Sequence, residues 1–193
     1  MYFLVENCFH WIGFHIVSRL LDNGWQVDGM DDLDTDKKEH LSMFLGRNDL
    51  FHHVSSCERS SDYDARVSVG NRELVLQKPE SITIKLPLIF GEWMPMNEEG
   101  IYTQNDFIRF DSEPFLSRAV HVADVFESLE QWIASSELPA ILDVRSFHDR
   151  QTDNIKLENA VYIRNNRPIN EQIKMVKKHY GRYKKFYPAC NGQ

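Results

Sequence analysis

The sequence predicts an α/β fold with a doubly wound, mainly parallel sheet. Two observations predict it: short apolar segments of strand character alternate with segments whose apolar residues recur at helical spacing, and the first two strands lie on either side of a helix. With 193 residues, 42% of them hydrophobic, the chain is long enough to bury one core. We expect a single domain over residues 1–193, with 136–193 as a C-terminal extension whose packing the sequence does not define.

The first 54 residues predict a β-α-β-α-β unit. Residues 2–5 form an apolar strand, and the residues after it share one helix face: Ile12, Ile16, Val17, Leu20 and Leu21. Gly24 ends this helix. A second strand is expected over 25–30, a short helix over 37–45 and a third strand over 50–54.

The rest of the chain continues the alternation less regularly. Residues 55–65 are polar and predict a surface loop, 72–77 a helix ended by Pro79, and 82–86 a strand. A strand is expected over 119–122, followed by a helix with Asp124 as its N-cap. Its apolar stripe consists of Val125, Leu129, Trp132 and Ile133. A strand over 140–144 and a helix over 170–180 complete the prediction.

Charge and cysteine content exclude several classes of protein. The net charge of −7 disfavours nucleic-acid binding, and no apolar run is long enough to span a membrane. We therefore expect a cytoplasmic protein with reduced thiols at Cys8, Cys57 and Cys190, whose spacing predicts neither a disulfide framework nor a metal site. Between residues 174 and 187 six basic residues occur with no acidic one, so the C-terminal helix is strongly basic.

The turn after the first strand carries a family resemblance. Residues 5–15, VENCFHWIGFH, resemble T-G-x-x-G-F-I-G-x-H, the opening motif of the extended short-chain dehydrogenase/reductase family of nucleotide-sugar epimerases and dehydratases. The resemblance implies a Rossmann-like fold with NAD as cofactor. It also implies cofactor contacts from the following residues: Asn7, His10, Trp11, Ile12 and Gly13.

This turn has lost most of the glycines that let a backbone approach a pyrophosphate. Only Gly13 keeps its place. Asn7 replaces the first glycine and tolerates a left-handed conformation, whereas the ring of His10 stands where the phosphate should lie. Glu6 adds a negative charge beside it. The residues therefore predict that NAD binds weakly or not at all.

The end of the second strand extends the resemblance. Residues 24–33, GWQVDGMDDL, are similar to the family pattern G-H-x-V-x-G-x-D-N-L. Asp31, followed by Asp32, then stands where the family's acid accepts the ribose hydroxyls, which favours NAD over NADP. The alternative is that Asp31 is one of several solvated loop acids.

Two later segments resemble the family's substrate motifs. Residues 85–93, KLPLIFGEW, resemble R-x-x-x-V-Y-G-P, which implies that Leu88, Phe90 and Gly91 line a sugar-nucleotide pocket. The bare pattern also fits a buried strand followed by a glycine turn. Residues 120–125, VHVADV, resemble V-H-V-D-D-V. Ser117 stands at the position of the family's phosphate-binding Arg, and its neighbour Arg118 is our candidate for that contact.

The family's catalytic Y-x-x-x-K pair has no counterpart where it belongs, so no catalytic residue is assigned and the fold is expected to be reduced in its middle. Only residues 55–84 separate the flanking motifs, and Tyr63 is followed at the fourth place by Val67. The fourth and fifth strands with the catalytic helix are therefore expected to be missing. Tyr180 and Lys184 match the spacing, but too late in the chain to be more than chance.

Three functions are compatible with these features. The first is a non-catalytic member of the resembled class that binds a nucleotide, a sugar nucleotide or a protein partner. The second is an active NAD-dependent epimerase, dehydratase or reductase with a non-standard site or one shared with another subunit. The third is an interaction module that uses the basic C-terminal helix. A homodimer is the common assembly of this architecture.

Overall fold

The structure, a computed structural model, describes residues 1–54, 62–104, 106–135, 137–149 and 159–187. The strands in these ranges are β1 (Tyr2–Glu6), β2 (Gln26–Met30), β3 (Phe51–Val54), β4 (Ala65–Val69), β5 (Glu73–Gln77), β6 (Ser81–Lys85), β7 (Ile89–Phe90), β8 (Gly100–Tyr102), β9 (Phe107–Arg109), β10 (Val120–His121), β11 (Ile141–Ser146) and β12 (Ala160–Ile163). The helices are α1 (Trp11–Asp22), α2 (Asp36–Leu45), α3 (Glu113–Arg118), α4 (Val122–Glu127), α5 (Leu129–Ala134) and α6 (Ile169–Tyr183), and a 3₁₀ turn, Lys184–Phe186, follows the last one.

A central sheet of eight strands has the order β3-β2-β1-β4-β5-β6-β11-β12. All neighbouring pairs are parallel except those of β5, which runs antiparallel to both β4 and β6. From β1 the chain builds the sheet first toward β3 and then, from β4, toward β12. This confirms the predicted α/β class and gives the sheet the doubly wound layout of a Rossmann-like fold.

The first half of the chain follows its sequence pattern. The apolar face of α1 is buried against the sheet, and Gly24, with φ of 73°, ends the turn after it. Thr35 caps α2 by accepting a hydrogen bond from the Lys38 amide. The predicted strands over 2–5, 25–30 and 50–54 and the helices between them are confirmed. Of the predicted loop over 55–65, residues 55–61 lie outside the described residues.

The predicted helix over 72–77 is wrong, because this segment is strand β5. Leu74 and Leu76 are buried on one face while Val75 between them points to the other, which is the period of a strand. A strand at β4 was also missed, so the fourth strand is present. Its connection to β5 takes residues 70–72 and that from β5 to β6 residues 78–80, which is too short for a helical crossover. Two hairpins therefore stand where the resembled family has its catalytic helix.

One face of the sheet carries the core. Val5, Val67 and Leu76 are register partners on that face and are buried. All six helices contribute apolar side chains to the same cluster, among them Ile12, Leu41, Phe115, Val125, Leu129 and Ile173. Over β4 to β6 the opposite face is mostly polar: Arg66 is half-buried and its partner Gln77 is exposed, while Val75 is an apolar residue on it.

The C-terminal half differs in detail from its prediction. The strand expected over 119–122 is only β10, which pairs with β7 in a separate parallel ladder. Asp124 is not an N-cap: His121 caps α4, and Ser128 separates α4 from α5. The Asp124 carboxylate instead accepts hydrogen bonds from the Gln172 side chain on α6, at 2.8 Å, and from the backbone amide of Asn166. Among the described residues, no helix is long and apolar enough to cross a membrane.

Candidate functional site

A cavity of about 800 Å³ opens at the carboxyl edge of the central sheet. Its walls come from the β1–α1 turn, the β4–β5 loop, the segment after β6, residues between 94 and 118, and β11. In open α/β sheets, ligands bind outside the carboxyl ends of the strands, where the winding direction changes. Here that change lies between β1 and β4, and the cavity begins beside it.

Asn7 occupies the point where the winding direction changes. Its backbone has φ of 56°, the left-handed conformation that its position in the glycine motif predicts. Its side-chain amide donates a hydrogen bond of 2.8 Å to the carbonyl of Val69 at the end of β4. The side chain therefore bridges the carboxyl ends of β1 and β4, which a bound pyrophosphate would approach.

His10 is the N-cap residue of α1 but makes no capping hydrogen bond. Its Nδ1 atom is buried and has no partner among the described residues. Burial, followed by the nearby charge of Lys37, lowers the pKa of His10 to about 4. The imidazole is therefore neutral near pH 7 and adds no positive charge for a phosphate at this helix end.

The rest of the glycine motif is part of the core or its edge. Trp11 lines the cavity beside His10, whereas Ile12 is fully buried below it. A Cβ atom on Gly13 would lie 2.2 Å from the Asn7 carbonyl oxygen. Gly13 is thus required for helix α1 to pack on its own turn, with or without a cofactor.

The carboxylate of Asp31 is engaged by the protein itself. It accepts hydrogen bonds from the Phe9 amide at 2.9 Å, from the Asp32 amide at 2.8 Å and from Lys38 Nζ at 3.0 Å. Only 6% of the side chain is exposed. Asp31 is therefore not a solvated loop acid, and a ribose would have to displace Lys38 or the Phe9 amide to reach it. Asp32 itself is exposed.

The structure places only part of the second motif at the cavity. Leu88 lines it, but Phe90 is fully buried between Phe115 and His121. A Cβ atom on Gly91 would lie 2.4 Å from Val122, so this glycine permits packing against α4. Arg118 lines the cavity, is 67% exposed and lies 3.8 Å from Asp149.

Several cavity residues were missed by the sequence analysis. Arg72, predicted to begin a helix over 72–77, lies with Asn71 in the β4–β5 loop, and Asp143 and Arg145 lie on β11. Arg145 forms an ion pair of 2.8 Å with Asp143, while Arg72 has no ion pair with any residue that the structure describes. For Asp143 and Arg145, the only signal in the sequence was the alternation of polar and apolar residues along β11.

Glu92, at the position of the family's proline, lies behind the cavity among histidines. Its carboxylate is 3.8 Å from His15 Nε2 and 4.0 Å from His121 Nε2. Burial lowers the pKa of both imidazoles, so they are neutral near pH 7. In the described part of the chain, no group of His, Cys, Asp and Glu is arranged to hold a metal ion.

The tyrosines singled out by spacing lie away from the cavity. The Tyr63 hydroxyl donates to Asp28 at 2.8 Å. Tyr180 is buried in the core, and Lys184 pairs with Glu98 at 3.0 Å. None of these three residues lines the cavity.

Comparison with known proteins does not identify a family for this chain. No family model and no curated protein matches the chain. Among solved structures, the chain is similar to yeast methylglyoxal/isovaleraldehyde reductase Gre2 complexed with NADPH, at 14% identity and a TM-score of 0.28. The match covers 94% of this chain and 51% of that one, so the chain spans about half the length of the reductase.

Proposed function

We propose that this protein is a non-catalytic, Rossmann-like binding protein that takes a nucleotide or sugar nucleotide in the cavity at the carboxyl edge of its sheet. The observation that carries the proposal is the cavity itself, about 800 Å³, with Arg72 and Arg118 in its walls. Small-molecule sites of this kind measure roughly 300–1,000 Å³ and combine apolar walls with a few polar groups.

The lining suits a ligand with a phosphate and several hydroxyls. Arg72 has no competing ion pair among the described residues, and Arg118 lies at the moderate distance of 3.8 Å from its acid. These two guanidinium groups are the candidate phosphate contacts, since arginine binds phosphate in a bidentate manner. Asp143, Thr103 and Gln104 supply acceptors and donors for sugar hydroxyls.

A dinucleotide in the usual pose is disfavoured by the same structure. The Asn7 side chain bridges β1 and β4, the His10 ring stands at the start of α1, and Asp31 is already bonded to Phe9 and Lys38. Two of the family's ligand positions, Asn7 and Asp31, are thus engaged by contacts within the chain. This supports a site that has moved from the turn to the adjoining cavity.

The second candidate, an enzyme completed by another subunit, is less well supported. A partner that restored the catalytic helix would have to pack on the β4–β6 face opposite the core. That face carries Arg66, Gln77 and Lys85 around the half-buried Val75, so it is mostly polar. Burying such side chains without partners costs free energy.

The test is a thermal-shift screen followed by calorimetry, with UDP, UDP-glucose, dTDP-glucose, NAD and NADP as probes. At a hundred times its dissociation constant a ligand stabilises by about 2.7 kcal/mol, which raises Tm by roughly 5–10 °C in a domain of this size. We expect UDP-glucose or dTDP-glucose to stabilise the protein more than NAD does. Substituting Arg72→Ala or Arg118→Ala should weaken that binding at least about tenfold, the effect of losing one charged hydrogen bond.

The matched control is Arg47→Ala, which removes an exposed arginine outside the cavity. Its affinity should equal that of the native chain. Binding of NAD in preference to every sugar nucleotide, or sugar-nucleotide binding that both cavity variants retain in full, would contradict the proposal.

A further inference from the structure

A second cavity, of about 480 Å³, opens between α1, α2 and α6 and shares no lining residue with the nucleotide cavity. Phe14, Trp93 and Tyr183 form its aromatic wall. Phe44 and Met175 also line it and are 52% and 41% exposed. Large apolar side chains left exposed around a concave site mark an interaction surface.

The wall of this cavity is fixed before anything binds. Trp93 is 5% exposed and has φ of 66°, a conformation unusual for a bulky residue. Its amide donates a 2.9 Å hydrogen bond to the Tyr187 hydroxyl, and its carbonyl accepts one from Lys37. A partner would therefore not have to order this wall, which reduces the entropic cost of binding.

Basic residues border the cavity along one stripe of α6 and the turn after it. The stripe consists of Lys174, Lys178, Arg182 and Lys185, which recur at helical spacing. Lys178 and Arg182 line the cavity directly. None of the four forms an ion pair with a residue in the described ranges, in contrast to Lys184, which pairs with Glu98. No acidic residue occurs between positions 172 and 187.

We propose that this surface binds an acidic segment of a partner protein, which inserts one large apolar side chain into the cavity and sets its carboxylates along the basic stripe. The positive charge of the stripe requires a negatively charged partner segment, and the aromatic pocket requires a large apolar anchor residue. Glu92 lines the cavity too, but its carboxylate lies near His15 and His121.

Two other occupants fit the observations less well. A second copy related by a two-fold axis would set one basic stripe against the other, because such an interface uses the same patch on both subunits. An anionic membrane would meet a protein with a net charge of −7, and a flat bilayer does not fill a concave pocket.

The test uses a display library of twelve-residue peptides, selected on the native chain and counter-selected on the double variant Lys178→Glu with Arg182→Glu. We expect recovered peptides to have an excess of Asp and Glu around one Trp, Phe or Leu. Synthesised and measured by fluorescence anisotropy, they should bind the double variant at least about fiftyfold more weakly, and an Ala in place of the anchor should cost about tenfold. Lys85→Glu, an exposed charge reversal on the other face of the sheet, should leave their affinity unchanged.

Each contrary result overturns the proposal. Recovered peptides without an acidic excess, no enrichment over the counter-selection, or equal binding to both variants would show that the stripe does not select a partner. The same holds if vesicles with 25% phosphatidylserine bind through Lys178 and Arg182 more tightly than any peptide. Self-association in ultracentrifugation that the double variant abolishes would assign the surface to a second copy. Matching Tm values establish that the variants are folded.

Discussion

The side-chain amide of Asn7 lies 2.8 Å from the carbonyl oxygen of Val69 and joins the carboxyl ends of β1 and β4. These two strands adjoin at the point where the sheet changes its winding direction, which is the phosphate site of dinucleotide-binding folds. A glycine at position 7 would leave that gap open, whereas Asn7 closes it with a hydrogen bond. The turn thus has a structural role that does not depend on a cofactor.

The Asn7 bond predicts an unusual order of stability among variants. Asn7→Gly loses one hydrogen bond, worth about 1 kcal/mol, but relieves the left-handed backbone of its side chain, so its free energy of unfolding should stay within about 1 kcal/mol of the native value. Asn7→Ala loses the bond and keeps the strain, and should cost about 2 kcal/mol. Urea unfolding measures both. An alanine variant as stable as the glycine variant would contradict the assigned geometry.

Gly13 and Gly181 form a matched pair for testing the packing of α1. In Gly13→Ala the new Cβ atom would lie 2.2 Å from a backbone oxygen, whereas nothing lies within 4 Å of the same atom at Gly181. We expect Gly13→Ala to destabilise the protein by about 3 kcal/mol or more. Gly181→Ala, in the interior of α6, should stabilise it by about 0.5–1 kcal/mol. Equal effects in thermal unfolding would rule out the close approach of α1 to its turn.

The same turn predicts the response to NAD. We expect calorimetry to detect no NAD binding to the native chain at micromolar concentrations, because Asn7 and His10 carry side chains where the family's turn has glycines. The double change Asn7→Gly with His10→Gly should then improve binding measurably. Micromolar binding by the native chain would refute the blockage. No improvement in the double variant would place the loss at Asp31, whose carboxylate is held by Lys38 and the Phe9 amide.

The sequence predicted the elements whose apolar period is long and undisturbed. Helix α1 and strands β1 and β2 follow directly from such patterns, and the left-handed backbone of Asn7 follows from its place in the glycine motif. Strand β6 was predicted as a strand over 82–86, but β4 and β5 were not, because five-residue strands joined by three-residue loops resemble a short helix when judged by composition. The burial of every second residue, Leu74 and Leu76, distinguishes the strand from a helix.

The residues of the candidate site were predictable only where they belong to one of the family's motifs. His10, Trp11, Leu88 and Arg118 were expected at the site and line the cavity. Arg72 could not be placed there, because its position depends on a hairpin that brings it back to the carboxyl edge of the sheet. The engagement of Asp31 by Lys38 is likewise a tertiary contact, which no local pattern specifies.

The half-buried His10 and His179 predict a loss of stability in mild acid. Burial lowers the pKa of both His10 and His179 to about 4, below the unfolded value near 6.5. Between these two values the unfolded chain binds protons that the folded chain does not, so the free energy of unfolding falls as the pH drops from about 6.5 to 4. The difference between 6.5 and 4 corresponds to about 3.4 kcal/mol, and partial solvent exposure reduces the expected loss to roughly 2 kcal/mol for each histidine.

The hydrogen bond between His179 and Tyr187 gives a structural cause for this pH dependence. When neutral, its Nδ1 atom can accept the hydrogen bond from the Tyr187 hydroxyl, 2.8 Å away, and a protonated ring cannot. Chemical unfolding at pH 7, 6, 5 and 4 measures the dependence. The double variant His10→Gln with His179→Gln should show a clearly flatter curve in that interval. An unchanged slope would assign the acid sensitivity to other groups.

Epimerisation or dehydration of a nucleotide sugar needs a base beside the sugar hydroxyl and a nicotinamide within hydride reach, and one proton-transfer group is typically worth about 10² to 10⁴ in rate. The spacing match offers Tyr180 and Lys184, but Tyr180 packs 4.9 Å from the Tyr187 ring in the core and Lys184 is bonded to Glu98. Neither lines the cavity at the carboxyl edge of the sheet.

We therefore expect no turnover of UDP-glucose or dTDP-glucose by the purified chain with NAD or NADP, followed by absorbance at 340 nm and by product chromatography. Tyr180→Phe and Lys184→Ala should leave any residual rate unchanged, because both side chains lie outside the cavity. Turnover that depends on Tyr180 would contradict both the assignment of the cavity and the non-catalytic reading. Turnover that begins only when a second protein is added would instead favour a shared site, with the cavity residues Arg72 and Arg118 as this chain's contribution to it.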